Sequence, residues 1–139
     1  MRYLLFLLAL GGAVVSGLAL RVHYDTGAEP CSINERWDCG VVNHSSYAEI
    51  EHIPVAAIGI FGYLVLAGLS LARRRSLTLV AALLGLGFAL YMSHIERDIL
   101  LVWCLYCVIS QGIIALIAVL SIAWLAGHEW SKRRAPGKL

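Results

Sequence analysis

Two cysteines three residues apart, Cys104 and Cys107, stand at the beginning of the last apolar run of this 139-residue chain. On a helix, residues i and i+3 share a face one turn apart. A Cys-x-x-Cys pair at a helix start also meets the positive end of the helix dipole, which favours thiolate. A thiolate beside a second sulfur exchanges disulfides or passes two electrons to an acceptor. The same spacing also serves a structural disulfide or half of a metal site. Two more cysteines, Cys31 and Cys39, lie in the one long polar segment, 21–52. Four cysteines allow three pairings, and Cys31 with Cys39 and Cys104 with Cys107 are the most natural. A loop pair with seven residues between its members can present one sulfur outward and swing the other toward the helix pair. The helix pair is within reach of a lipid-soluble acceptor such as a quinone. The two pairs would form a two-station relay. Against this stand two bland readings: zinc on four cysteines, for which the wide Cys31–Cys39 spacing is unusual, and two disulfides that only staple the outer surface.

The elements that must position these sulfurs are apolar. The chain is 60% hydrophobic and 14% charged, with a mean hydropathy of +0.77. That leaves too few polar residues to cover a soluble globule. Four runs, 3–20, 53–72, 76–95 and 100–126, approach the roughly 20 residues needed to span a bilayer. The expected fold is an all-α integral membrane protein, a four-transmembrane-helix bundle forming a single membrane domain over 1–139. It has an outer loop at 21–52 and a tail at 127–139. The first run could be a signal peptide cleaved near Val14-x-Ser16, but it is long and lacks Ala-x-Ala, so an uncleaved helix is expected. Ser46 and Glu49 read as a capping box that starts a short surface helix before the second run. Pro54 suits the beginning of the second helix, Arg73-Arg74-Arg75 ends it, and Glu96-Arg97-Asp98 reads as a short loop. Gly11, Gly12, Gly17, Gly59, Gly62, Gly85 and Gly87 would let helices approach closely.

Charge sets the orientation. Arg2, Arg73, Arg74, Arg75, Lys132, Arg133, Arg134 and Lys138 fall on one side, against Arg21, Arg36 and Arg97 on the other. The first set should be cytoplasmic, with both termini inside and all four cysteines outside, in a compartment where disulfides persist. The basic residues flank apolar runs in short clusters, so no nucleic-acid binding is expected. His94, His44, His52, His23 and His128 read as interfacial or solvated residues rather than ligands, and no metal site is expected.

The combination of Cys31-Ser-Ile-Asn-Glu-Arg-Trp-Asp-Cys39, Ile53-Pro-Val-Ala-Ala-Ile-Gly-Ile-Phe-Gly-Tyr63 and Trp103-Cys-Leu-Tyr-Cys107 resembles the vitamin K epoxide reductase family, in particular bacterial members that drive disulfide formation. The resemblance covers about residues 3–126. It implies a four-helix bundle enclosing a quinone, ubiquinone or menaquinone, in a bacterial inner membrane. Cys31 would meet a reduced thiol partner, Cys39 would exchange with Cys104, and Cys107 would face the quinone. Ser45 matches a Ser or Thr position in the family's pocket cap. Animal enzymes that reduce the epoxide carry an Asn and a Tyr where this chain has Val55 and Gln111. Gln111 can still hydrogen-bond a quinone, whereas the Val55 side chain cannot, so epoxide reduction is not expected. Many bacterial members carry a fused thioredoxin-like domain. Here only a short basic tail follows, so the expected partner is a separate soluble periplasmic thioredoxin-fold disulfide oxidase, working with the membrane quinone pool. The other bacterial four-helix disulfide generator has its Cys-x-x-Cys in the first outer loop, the reverse order. The alternative from another class is a non-enzymatic membrane module held by structural disulfides or a cysteine-bound metal.

Overall fold

A computed structural model describes residues 2–24, 36–37 and 45–134. Four helices dominate: α1 (Arg2–Tyr24), α2 (Val55–Leu71), α3 (Arg75–Ile95) and α4 (Leu105–Arg134). Helix α1 packs mainly on α2 and α4, and α4 also packs along α3. The shared core is built from Leu5 and Ala9 of α1, Tyr63 and Leu66 of α2, Ala82 of α3, and Ile114 and Ile117 of α4. Large apolar side chains such as Leu7, Val14, Phe61 and Leu84 point outward. An outward-facing apolar surface on long apolar helices is what a lipid solvent requires. Among the described residues, three segments, Arg2–Tyr24, Arg75–Leu100 and Leu105–Arg134, are long and apolar enough to cross a membrane. Helix α2 has 17 residues, a rise of about 25 Å.

Several boundaries differ from the sequence expectation. The run at 100–126 starts its helix only at Leu105, and α4 continues through Arg134, so most of the expected tail is helical. Glu96-Arg97-Asp98 is not an open loop. It opens a π-helical turn, Glu96–Leu100, that prolongs α3. The short surface helix before α2 is reduced, among the described residues, to one 3-10 turn, Ser46–Ala48. Its N-cap is Ser45, not Ser46, and no capping box forms, because Glu49 is extended and begins strand β1 (Glu49–Ile50). The Glu49 carboxylate lies 3.0 Å from His23 Nε2 instead, tying this segment to the end of α1. Strand β1 pairs antiparallel with β2 (Ile53–Pro54) through Glu51 and His52, both at positive φ, 50° and 68°. Two positive-φ residues make the turn whose twist matches a tight hairpin. Pro54 is the cap of α2, with Val55 as its first helical residue.

The glycine expectation divides in the same way. A Cβ on Gly12 would collide with the Tyr63 ring, and one on Gly85 would fall 3.3 Å from Ile114. Gly59 faces Ser16, whereas Gly11, Gly17, Gly62 and Gly87 face open space. The Gly12 contact brings the Tyr63 ring onto the α1 backbone, and so sets where the Tyr63 hydroxyl ends up.

Candidate functional site

Cys104 precedes the first residue of α4, and Cys107 lies in its first turn. The Cys104 carbonyl accepts the Val108 N–H at 3.0 Å, the first bond of the helix. The Cys107 N–H points at Cys104 Sγ at 3.4 Å. Cys104 therefore occupies the capping position, its sulfur where Ser or Asp usually offers an oxygen. An N–H and a helix N-terminus in this position favour negative charge on the sulfur. Cys104 is fully buried, packed against Val22 at the end of α1. Cys107 is a free thiol here.

The backbone ahead of Cys104 is held from two directions. Trp103 pairs with Trp37 in a short parallel bridge, and the Trp103 N–H donates to the Arg36 carbonyl at 2.6 Å. The two indole rings lie 6.3 Å apart. From the other side, the Glu96 carboxylate reaches back across the connection, and its Oε2 accepts the Cys104 N–H at 3.2 Å. Glu96 is only 1% exposed.

Beneath Cys107 is a cavity of about 560 Å³, lined mostly by apolar residues of α2, α3 and α4. This volume lies within the range of small-molecule sites, which combine an apolar lining with a few placed polar groups. Its polar lining residues are Ser16, Tyr63, Ser93, Glu96, Tyr106 and Ser110, with the Cys107 thiol. The Tyr63 hydroxyl donates to the Ser110 carbonyl at 2.7 Å and shares a second contact of 2.7 Å with Ser110 Oγ.

Of the residues singled out from sequence, Cys107 and Val55 line this cavity, whereas Cys104 is buried one turn away against Val22. Gln111 is not among its lining residues: its amide oxygen accepts the Ser93 hydroxyl between α3 and α4. Ser45 sits at the 3-10 turn and does not line the cavity either. Cys31 and Cys39 lie outside the described residues. Sequence reasoning missed Glu96, Tyr63 and Ser110. Ser110 could have been found as the i+3 neighbour of Cys107, and Tyr63 as a hydroxyl within an otherwise apolar run.

The sequence profile of the vitamin K epoxide reductase family matches residues 3–122. The chain belongs to that family. It is accordingly a multi-pass membrane protein and, in general terms, a membrane thiol oxidoreductase. The geometry described above gives one sulfur a helix cap and the other a cavity.

Proposed function

We propose that this protein generates disulfides. It would take two electrons from a reduced, soluble thioredoxin-fold partner through Cys31 and Cys39, and pass them to Cys104 and Cys107. A membrane quinone, ubiquinone or menaquinone, would supply the two-electron, two-proton acceptor. The observation that carries this reading is the position of Cys107 on the wall of a 560 Å³ apolar cavity, with Cys104 one turn away. The cavity has the size and polarity a quinone head needs, with Tyr63 and Ser110 on its wall and Val55 contributing only apolar surface.

The Trp37–Trp103 bridge supports the first step of the relay. Cys39 follows Trp37 by two residues, a chain reach of at most about 7 Å. Cys104 follows Trp103 by one. In the relay, a Cys39 thiolate attacks Cys104 Sγ of the oxidised pair, and Cys107 leaves as the thiolate. Cys31 then closes on Cys39, releasing both helix cysteines reduced. Oxidation of Cys104 and Cys107 at the cavity resets the site. We further propose that α2 crosses the membrane with the other three helices, despite its length. Both termini would be cytoplasmic and the cysteines periplasmic in a bacterial inner membrane, as the basic clusters at 73–75 and 132–134 favour.

The test is quinol formation by purified protein supplied with a reduced thioredoxin-fold partner and ubiquinone or menaquinone. Wild type should produce quinol, and Cys107→Ser should reduce the rate at least a hundredfold. Cys31→Ser should stop turnover with the protein partner. Folded wild-type protein that forms no quinol with any quinone would favour a non-enzymatic membrane module.

A further inference from the structure

The least explained group in the molecule is the Glu96 carboxyl. It is buried, and its Oε2 is used by the Cys104 N–H, but its Oε1 meets no hydrogen-bond partner among the described residues. No described cation pairs with it. The charged neighbours on its own turn are spent on one another at the surface: His94 Nδ1 lies 2.7 Å from Asp98, and Arg97 Nε 3.3 Å from the same carboxylate. A buried carboxyl without a cation is costly, and in a membrane protein it marks a functional position by default. A purely structural acceptor for the Cys104 N–H would need only an amide oxygen. Glu96 also lines the cavity with Cys107.

We infer that Glu96 is the proton acceptor for the Cys104–Cys107 pair. This deepens the disulfide-generating reading above and rests on it for turnover. Oxidation of the pair breaks two S–H bonds, forms one S–S bond, and releases two electrons and two protons. The electrons go to the quinone-class acceptor. Glu96 Oε1 takes the proton of Cys107 as its thiolate forms, and releases it on the cavity side, where the reduced acceptor needs two. The Cys104 proton follows by the same carboxyl once the first has left. Oε2 keeps its bond to the Cys104 N–H throughout, so the acid stays fixed beside the sulfurs while it is protonated and deprotonated.

Glu96→Gln separates this role from a structural one, because the amide keeps an oxygen for the Cys104 N–H but cannot take up a proton. Two readouts are made on purified protein. The first is the rate of Cys107 alkylation by iodoacetamide in fully reduced protein across pH, located by mass spectrometry. The second is quinol formation with the reduced partner. In E96Q, alkylation at neutral pH should rise about threefold or more, since one negative charge fewer faces the thiolate. Quinol formation should fall at least tenfold, a modest loss for removing an acid–base group. Glu96→Asp should retain part of the turnover. If E96Q leaves both rates unchanged, the carboxylate only holds the turn and the proposal is wrong. If both rise, Glu96 is an electrostatic brake and the proposal is equally wrong. Should E96Q not fold, the wild-type alkylation profile decides: two inflections show Glu96 and Cys107 ionising in contact, and a single one overturns the idea. The alkylation arm needs no quinone, so failure of the disulfide-generating reading would show separately, as absent quinol beside an intact Glu96 effect.

Discussion

The two connections that join α2 to α3 and α3 to α4 share a local feature and differ in everything built around it. Each turns at a non-glycine residue in the left-handed region, Arg73 and Leu101, both with φ 57°. The α2–α3 connection is closed by its own backbone. The N–H groups of Ala72, Arg73 and Arg74 donate to the Gly68, Ser70 and Leu69 carbonyls at 3.0 to 3.1 Å, the paired bonds of a Schellman motif. Its side chains are left free to be basic. The α3–α4 connection is closed by side chains and by another part of the chain: the Glu96 carboxylate below and the Trp37–Trp103 bridge above. A turn satisfied by its own backbone depends little on sequence. A turn that depends on a buried acid and a distant tryptophan ties its shape to the state of the site.

The largest expected effect follows from removing the acid altogether. Glu96→Ala leaves the buried Cys104 N–H without its acceptor and should cost about 1–3 kcal/mol, measured by SDS titration of the protein in mixed micelles. Glu96→Gln in the same assay should lie much closer to wild type. If Ala and Gln were alike, the connection would not depend on that hydrogen bond. Next, Trp37→Ala removes the ring contact over Trp103 and should cost about 1 kcal/mol. It should also raise the alkylation rate of Cys104, because it loosens the backbone directly ahead of it. Arg74→Ala on the other connection should stay within about 0.5 kcal/mol of wild type. The smallest effect sharpens the comparison most. Arg73→Gly and Leu101→Gly each relieve a left-handed side chain while adding glycine's entropy in the unfolded chain. Both should shift stability by the same small amount, about 0.5 kcal/mol upward. A large difference between them would mean that the backbone, not what closes over it, distinguishes the two turns.

What was legible in the sequence was what hydrophobic period and charge control. The four runs became four helices, the three arginines mark a tight turn, and the cysteine pair heads the last helix. Less legible was anything decided by which way a side chain folds back. Glu96 sits between Ile95 and Arg97 in a stretch that reads as a polar loop. Only the π-helical turn, and a connection long enough for Cys104 to return to it, show it as an interior group. Gln111 is one turn beyond Cys107 and was a reasonable candidate to face a ligand, yet Ser93 on α3 takes its amide. Ser110 has the cavity wall instead. Glycine spacing alone could not tell Gly12, pressed against a ring, from Gly11 beside it with nothing near.

Helix α4 carries a further consequence. Its 30 residues rise about 45 Å, some 15 Å more than the hydrocarbon layer is thick. Its far end bears Trp130, with the Arg134 guanidinium 5.0 Å from the indole centroid, beside Lys132 and Arg133. Aromatic and basic groups of this kind anchor a helix at the headgroup level. A single unbroken helix fastened at one end works as a ruler. The depth at which Cys107 meets the bilayer is then set from the opposite leaflet, and a thicker or thinner membrane would move the thiol relative to the near surface while leaving every contact around it unchanged.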